Sequence, residues 1–177
     1  MAVEAAVMRE APACEMPAPR RILFVCTGNT CRSPMAAALL ADLARERESC
    51  SACAEVSRPA LVSASAGLFA MDGAPISQNA LLALRSAGVR PVPGADYAEH
   101  RARTVTAEMV AAADEVVGLT GSHVMQLMLR FPEAAGKIRA LPMDIADPYG
   151  GDLDCYVRCL AQLRRAIELA YFPGGEA

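Results

Sequence analysis

The sequence predicts an α/β fold in which helices cover both faces of a parallel β-sheet. Short apolar segments typical of buried strands alternate with segments whose apolar residues follow helical spacing. The first apolar segment, 21–26, has no polar alternation, as expected for a strand buried on both faces. Apolar residues form 54% of the 177 positions, which is enough to fill one core. The alternation of strands and helices predicts right-handed crossovers between parallel strands.

The first strand and the first helix are predicted on either side of a short polar loop. Residues 21–26 form the strand, with a buried helix as the alternative interpretation. Ser33 followed by Pro34 predicts a helix start, because serine is a good N-cap and proline fits the first helical turn. Apolar residues at helical spacing extend this helix to Leu43. The polar segment 46–58 is predicted to be a surface connection.

The rest of the chain is predicted to contain three further strands, each followed by a helix or a loop. Gly67 ends the second strand, Gly88 ends the next helix, and Thr106 is a suitable N-cap for the one after it. Pro132 ends the helix that follows the third strand. The predicted elements are strand 60–66, helix 75–87, loop 89–103, helix 106–113, strand 115–120, helix 122–131, strand 138–141, loop 144–151, and a final helix from Leu153 that buries Val157, Leu160, Leu163, Ile167 and Ala170.

Charge and composition argue against several classes of protein. Lys and Arg number 17 and Asp and Glu number 20, so the formal charge is −3. This value does not suit a protein that wraps duplex nucleic acid or binds an anionic membrane. No apolar run reaches the roughly 18 residues of a membrane span. The seven cysteines, an odd number, follow no export signal, so we expect reduced thiols in the cytoplasm.

We expect residues 1–19 to form a flexible tail and residues 20–173 to form a single domain. The tail carries acidic residues and three prolines, which make a folded element improbable there. No second domain and no internal repeat is visible in the remaining sequence. Nothing in it suggests an obligate dimer, so we expect a monomer.

One loop carries the strongest chemical signal in the sequence. Between the first strand and the first helix stands Cys26-Thr27-Gly28-Asn29-Thr30-Cys31-Arg32-Ser33. Such a loop turns successive backbone N–H groups inward, and the helix dipole adds to them, so residues 27–33 are predicted to bind a phosphoryl group. Arg32 adds a planar cation that matches two phosphoryl oxygens. Gly28 permits the turn, and Asn29 tolerates unusual backbone angles.

Cys26 lies at the base of this loop and is the predicted nucleophile. A free thiol has a pKa of about 8.5 and is only slightly ionised at neutral pH. The field that binds phosphate also favours the thiolate, and Ser33 can donate a hydrogen bond to the sulfur. A structural cysteine beside a chance arginine is the alternative interpretation. The strand before the loop and the helix start after it argue against that alternative.

A second segment, Asp147-Pro148-Tyr149-Gly150-Gly151, is predicted to be a loop immediately before the last helix. An aspartate there can protonate the leaving group and then deprotonate the water that hydrolyses a cysteinyl phosphate. An Asp-Pro turn without a catalytic role is the alternative. The presence of the Cys26 loop in the same chain favours catalysis by Asp147.

These two segments resemble the low-molecular-weight protein-tyrosine phosphatase superfamily. The resemblance extends to Ser65-Ala66-Gly67, to His100-Arg101-Ala102-Arg103 and to the strand at 114–120. It covers the chain from about residue 20 to the final helix. It implies a flavodoxin-like α/β fold, in which a four-stranded parallel twisted sheet is flanked by helices on both faces.

The resemblance also implies roles for individual residues. Cys26 would be the nucleophile, Arg32 the phosphate clamp, and Asp147 the general acid and base. Two further implications concern the loop itself: Asn29 and Ser65 brace it by hydrogen bonds, and Ser33 supports the thiolate. Members of this superfamily use no metal, and we expect no cofactor.

Two positions point to the protein-arginine phosphatase branch. Thr30 stands where the tyrosine phosphatases usually have a bulky aliphatic residue, and its hydroxyl leaves room and polarity for a guanidinium group. Tyr149 is followed by two glycines where tyrosine phosphatases usually show adjacent aromatic residues. The sequence therefore predicts hydrolysis of phosphoarginine in protein substrates. Arginine phosphatases often have phenylalanine after Asp-Pro, so Tyr149 keeps phosphotyrosine as the alternative substrate.

Two other classes of protein are weaker alternatives. Arsenate reductases share this fold and loop but need additional cysteines in a segment that follows the middle of the chain, and no cysteine lies between Ala54 and Asp154. A non-catalytic phosphoryl-binding module would need neither a nucleophile nor an acid, yet Cys26 and Asp147 are both present.

The other cysteines have weaker interpretations. Cys31 shares the loop with Cys26, so a reversible disulfide between them is one hypothesis and a small packed residue is the other. The pair in Cys50-Ser51-Ala52-Cys53 is interpreted as exposed, inert thiols, because no second ligand pair accompanies it. Cys155 and Cys159, one helical turn apart, are interpreted as half-buried packing residues.

The two histidines and two of the methionines are also interpreted structurally. His100 is predicted to anchor a loop, and His123 is predicted to lie on a helix surface. Met125 and Met128 follow helical spacing and are predicted to lie in the core.

Overall fold

The computed structural model describes residues 17–49, 59–92 and 96–173. Within these ranges four strands and five α-helices follow one another, with short 3-10 turns at Tyr97–Glu99 and Pro132–Lys137. The elements are β1 (Arg20–Cys26), α1 (Arg32–Glu48), β2 (Leu61–Gly67), α2 (Gln78–Ser86), α3 (Ala107–Ala112), β3 (Glu115–Gly118), α4 (Gly121–Arg130), β4 (Ile138–Ala140) and α5 (Leu153–Tyr171).

The strands form one parallel sheet in the order β2-β1-β3-β4. Cys26, the last residue of the central strand β1, lies opposite Gly67 of β2, and Val25 lies opposite Gly118 of β3. The predicted four-stranded parallel sheet flanked by helices is therefore confirmed. Because all four strands run in the same direction, the segments that follow them meet at one edge of the sheet.

The core consists of two apolar layers, one on each face of the sheet. Ile22 and Phe24 of β1 pack into the layer shared with α1, α2 and α5. Leu23 and Val25 point to the opposite layer, which is closed by α3 and α4. Successive side chains of β1 thus enter different layers, which explains its unbroken apolar sequence.

Ser33 is not the N-cap of the first helix, contrary to the sequence prediction. Helix α1 begins at Arg32, its N-cap position is Cys31, and no side chain caps it. The hydroxyl group of Ser33 is unavailable for capping because it contacts the sulfur of Cys26 at 3.0 Å. The helix also continues to Glu48, into the segment that the sequence predicts as a connection.

The second helix begins later than predicted, at Gln78 rather than at Pro75. Pro75 pairs with Arg101 in an isolated antiparallel bridge, and the backbone N–H of Ser77 donates to the carbonyl of Thr30 at 2.8 Å. Both contacts hold residues 75–77 extended beside the loop after β1. A tertiary contact therefore overrides the helical spacing at this start.

Three predicted core residues are exposed instead. Met125 and Met128 are 65% and 39% exposed, and Val157 is 43% exposed. The buried face of α4 carries His123 and Leu127, so the two methionines lie on its other side. On α5 the buried face carries Tyr156 and Cys159 beside the predicted Leu160, Leu163 and Ile167. The apolar residues of α4 and α5 do follow helical spacing. Hydropathy alone could not show that His123 and Tyr156 share the buried faces of these helices.

Two sequence interpretations fall outside the described ranges. These are the flexible tail, of which only 17–19 are described, and the Cys50–Cys53 pair. No helix of the described ranges is both long and apolar enough to cross a lipid bilayer.

Candidate active site

The loop between β1 and α1 lies at the carboxyl edge of the sheet, where its backbone contacts the end of β2. The N–H groups of Leu68 and Phe69 donate to the carbonyls of Cys26 and Thr27, each at 2.9 Å. Gly67 allows this approach, because a Cβ at that position would lie 2.7 Å from the carbonyl oxygen of Thr27. The glycine of Ser65-Ala66-Gly67 is therefore part of the framework that shapes the loop.

Asn29 occupies the centre of the loop and is buried. Its φ of 55° is the left-handed conformation that asparagine tolerates better than most residues. Its side-chain amide donates to the hydroxyls of Ser33 at 2.9 Å and Ser65 at 3.0 Å, and its Oδ1 accepts from the N–H of Arg103 at 2.9 Å. His100 Nε2 lies 2.7 Å from the carbonyl of Asn29. The structure thus brings Asn29, Ser33, Ser65 and His100 together around the loop.

The sulfur of Cys26 is buried beneath the loop and has two polar neighbours. The backbone N–H of Asn29 donates to it at 3.3 Å, and the Oγ of Ser33 lies 3.0 Å away. The same hydroxyl lies 3.1 Å from the carbonyl of Ala66. Since a hydroxyl has one hydrogen, Ser33 can donate to Ala66 when the sulfur is a thiol and to the sulfur when it is a thiolate.

Arg32 and Asp147 meet above this loop. Nη2 of Arg32 donates to Oδ2 of Asp147 at 2.6 Å, and Nη1 donates to the carbonyl of Ile145 at 3.4 Å. The arginine side chain is 6% exposed, whereas that of Asp147 is 50% exposed. The other carboxylate oxygen accepts from the N–H of Tyr149 at 3.2 Å. The three predicted catalytic residues Cys26, Arg32 and Asp147 therefore belong to one constellation.

Thr30 and Cys31 connect the loop to the last helix. The sulfur of Cys31 lies 3.6 Å from Oγ1 of Thr30 and 3.4 Å from the hydroxyl of Tyr156. The hydroxyl of Ser77 donates to that of Tyr156 at 3.1 Å. Burial, together with the hydrogen bond to Cys31, raises the pKa of Tyr156 to about 12, so this phenol stays protonated.

Tyr149 is the one predicted substrate-contacting side chain that the structure does not bring to the loop. It is 81% exposed, and it reaches Asp147 only through its backbone. Gly150, with a φ of 78°, turns the chain directly afterwards.

His123 has a position that the sequence did not predict. The predicted surface residue is buried instead, and its Nε2 lies 3.1 Å from Oγ1 of Thr27 in the loop. Burial and the charge of Arg32 lower its pKa. One signal was available, since His123 lies in the first turn after β3, at the edge of the sheet where ligands bind.

The two cysteines of α5 differ in their surroundings. Cys159 is buried, and burial raises its pKa to about 12, whereas Cys155 is partly exposed and accepts a hydrogen bond from Nη2 of Arg158 at 3.1 Å. Across the ranges that the structure covers, no three His, Cys, Asp or Glu side chains cluster as a metal site would require.

The buried sulfur of Cys26, the backbone N–H of Asn29 that donates to it and the pair of Arg32 and Asp147 thus lie at the edge of the sheet where such folds bind ligands. A sequence profile described as "Low molecular weight phosphotyrosine protein phosphatase" matches residues 21–170. The chain belongs to this family. The membership confirms the resemblance and the predicted phosphatase class.

Relatives with two different substrate names are similar to this chain. A protein-arginine-phosphatase of Geobacillus stearothermophilus is 36% identical in an alignment 157 residues long, which covers 85% of this chain and 93% of the relative. A probable low molecular weight protein-tyrosine-phosphatase of Ralstonia nicotianae is 32% identical over 87% of this chain and 94% of its own length.

A solved structure of an arginine phosphatase has the same fold. It is a mutant of YwlE arginine phosphatase in which the cysteine of the active site is replaced by a phosphorylated serine. Its TM-score is 0.69 at 28% identity, and the match covers 86% of this chain and 97% of that one.

Proposed function

We propose that this protein is a protein-arginine phosphatase that works through a phosphorylated Cys26. The observation that carries the proposal is the constellation itself: Cys26 and Arg32 stand in one loop, and Asp147 contacts Arg32 at 2.6 Å. In the proposed mechanism Cys26 attacks phosphorus, Arg32 stabilises charge and Asp147 transfers the proton. The phosphorylated serine at the nucleophile position of the related arginine phosphatase supports a covalent intermediate.

In the first step the thiolate of Cys26 forms a bond to phosphorus while the bond from phosphorus to the guanidinium nitrogen breaks. The loop N–H groups and Arg32 stabilise the charge on the phosphoryl oxygens. A phosphoryl group competes with Asp147 for the fork of Arg32, and its negative charge favours the protonated carboxyl group. Asp147 then gives its proton to the departing nitrogen, which leaves as an ordinary arginine.

In the second step Asp147 acts as a base. Its carboxylate accepts a proton from a water molecule while the water oxygen bonds to phosphorus. The bond between sulfur and phosphorus breaks, inorganic phosphate leaves, and the thiolate returns. Ser33 and the N–H of Asn29 stabilise that thiolate, since they lie 3.0 and 3.3 Å from the sulfur.

The choice of phosphoarginine rests on Thr30 and on the relatives. Thr30 is half-buried in the loop and presents a hydroxyl where an aliphatic side chain would pack against an aromatic ring. The protein-arginine-phosphatase from Geobacillus is 36% identical, against 32% for the tyrosine phosphatase from Ralstonia. Phosphotyrosine is the second candidate, favoured by the exposed aromatic ring of Tyr149 two residues after Asp147.

Two remaining alternatives fit less well. Between Ala54 and Asp154 the sequence has no cysteine, so the resolving thiol of an arsenate reductase has no candidate there. A module that binds phosphoryl groups without catalysis would need neither the buried sulfur of Cys26 nor the carboxylate of Asp147 that contacts Arg32.

The proposal includes the setting in which the enzyme works. We place it in the cytoplasm, as a monomer that acts on phosphorylated proteins, with residues 20–173 as its catalytic domain and 1–19 as a tail. The family match at 21–170 lies inside this domain. The free state of Cys26, Cys31, Cys155 and Cys159 suits a reducing compartment.

The test is a comparison of kcat/KM for one peptide carrying phosphoarginine and for the same peptide carrying phosphotyrosine. Cys26→Ser serves as the blank, because a serine hydroxyl is a far weaker nucleophile than a thiolate. We expect phosphoarginine to be hydrolysed faster and the blank to be inactive on both. A preference for phosphotyrosine would contradict the substrate assignment, and full turnover by Cys26→Ser would contradict the mechanism.

A further inference from the structure

A buried histidine joins α4 to the loop that carries the nucleophile. His123 is 3% exposed. Its Nδ1 lies 2.9 Å from Oγ1 of Thr120, and its Nε2 lies 3.1 Å from Oγ1 of Thr27. Because Thr27 directly follows Cys26, this ring reaches the loop at the residue next to the nucleophile.

The contacts of Thr120 are all satisfied together when Ser122 donates to Thr120 and the ring carries its hydrogen on Nε2. Oγ1 of Thr120 accepts from the backbone N–H of His123 as the N-cap of α4, at 3.3 Å, and Oγ of Ser122 lies 2.9 Å away. When these two donors occupy its lone pairs, the hydroxyl hydrogen of Thr120 points to Nδ1. The neutral ring then has its hydrogen on Nε2 and donates it to Thr27.

The charges around the ring are mixed, and burial decides its protonation. Burial and the positive charge of Arg32 lower the pKa of His123, while Asp147 and Asp144 act in the opposite direction. The ring is therefore neutral at neutral pH.

When Nε2 of His123 donates to Thr27, the hydroxyl of Thr27 keeps one lone pair and its hydrogen for other partners. A hydroxyl has two lone pairs and one hydrogen, and His123 uses one lone pair. The other lone pair has no donor among the described residues. Thr27 is exposed and stands beside Cys26. Its oxygen, which contacts His123 at 3.1 Å, is therefore accessible to a ligand bound at the loop.

We propose that Thr27 is a second specificity-determining residue, whose hydroxyl oxygen accepts a hydrogen bond from the guanidinium group of phosphoarginine, with His123 as its positioning residue. This inference rests on the proposed function. A guanidinium group presents N–H donors beside the phosphorus, whereas the ring of phosphotyrosine presents only C–H groups there. The Thr27 oxygen thus discriminates between the two substrates, in addition to Thr30.

The experiment measures the ratio of kcat/KM for phosphoarginine to kcat/KM for phosphotyrosine in matched peptides. Thr27→Val removes the hydroxyl at nearly constant shape, and we expect the ratio to fall about ten-fold, the scale of one lost hydrogen bond. Thr27→Ser keeps the hydroxyl and should retain most of the ratio. An unchanged ratio in Thr27→Val would overturn the inference.

Variants of His123 test the positioning role separately. His123→Ala should lower the same ratio, and the Thr27→Val/His123→Ala double variant should lower it no further than Thr27→Val alone, because both act through one oxygen. His123→Gln retains an N–H donor and should keep the ratio near that of wild type. This variant is also the control for folding. If His123→Ala lowers turnover of both substrates equally, His123 is merely structural and the inference fails.

These outcomes are distinct from failure of the proposed function. The proposed function fails when the wild-type enzyme hydrolyses phosphoarginine no faster than Cys26→Ser does. The specificity inference fails when wild type hydrolyses phosphoarginine but Thr27→Val leaves the ratio unchanged.

Discussion

The hydroxyl of Ser33 shows how one residue links the fold of the loop to its chemistry. It accepts from Asn29, and it can donate either to the carbonyl of Ala66 or to the sulfur of Cys26. The neutral thiol and the thiolate can therefore both be satisfied without moving the backbone. Desolvation of an ionised sulfur is costly, so a hydrogen that can turn toward it is useful at a buried nucleophile.

Thr30→Ile is expected to shift substrate preference toward phosphotyrosine. The change removes a hydroxyl that suits a guanidinium group and adds an aliphatic surface that packs an aromatic ring. We expect the ratio of kcat/KM for phosphoarginine to that for phosphotyrosine to fall about ten-fold. Matched peptides measure this ratio, and Thr30→Ser, which keeps the hydroxyl, is the control. An unchanged ratio would show that position 30 does not select the substrate.

Cys31→Ala is expected to remove reversible protection against peroxide. Peroxide converts the Cys26 thiolate to a sulfenic acid, and attack by the Cys31 sulfur releases water and forms a disulfide that a thiol reductant can open. We expect wild type to recover activity after reduction and Cys31→Ala to lose most of this recovery. Cys155→Ala, which changes a partly exposed thiol on α5, is the control. Equal recovery in Cys31→Ala and wild type would refute a protective disulfide.

At the scale of elements, the ends of the strands decide which residues reach the site. The site draws on the end of β1, the start of α1, the end of β2, the first turn of α4 and the segment between β4 and α5, which supply Cys26, Arg32, Ser65, His123 and Asp147 in that order. These segments are far apart in sequence but adjacent in space. Parallel pairing places all of them at one edge.

Gly67→Ala is expected to disable the site through its backbone. A Cβ there would meet the carbonyl oxygen of Thr27 at 2.7 Å and the N–H of Asn29 at 3.0 Å. The loop must shift, and misplacement of this size at a reacting centre lowers kcat by about a hundred-fold. Gly136→Ala is the matched control, since an added Cβ has no neighbour within 4 Å. Steady-state rates measure both, and equal activity of the two variants would contradict this account of the loop.

The sequence predicted the order of strands and helices and the nucleophile loop, because these depend on local pattern. Cys26, Arg32 and Ser33 are close in sequence, so their juxtaposition follows from one turn. Hydropathy could not show that His123 and Tyr156 are buried, because both are held there by hydrogen bonds to distant residues. The predicted start of α2 was wrong for a similar reason, because the backbone N–H of Ser77 donates to the carbonyl of Thr30.

At the scale of the whole molecule, the two histidines link stability to pH. They are the only histidines in the chain, and burial lowers the pKa of both below the ordinary value of 6.5. At a pH between a histidine's lowered pKa in the folded protein and its ordinary pKa in the unfolded chain, the unfolded chain binds more protons than the folded one. The stability that the neutral rings contribute is therefore complete above pH 6.5 and is lost as the pH falls below it.

The free energy of unfolding should therefore decrease between about pH 7 and pH 5, and the decrease should be smaller in His100→Gln/His123→Gln. Urea denaturation at a series of pH values measures both curves. Carboxylates contribute to the slope of both proteins, so the difference between the curves isolates the histidines. Identical slopes in wild type and the double variant would contradict the burial of neutral rings.

The most direct test of the central claim is to trap the phosphorylated enzyme. Rapid acid quenching of the wild-type enzyme during turnover of a phosphoarginine peptide should capture the intermediate before Asp147 activates the water that hydrolyses it. We predict that mass spectrometry finds one phosphoryl group, attached to Cys26. Turnover by the wild-type enzyme together with a phosphoryl group on another residue, or on none, would contradict the account.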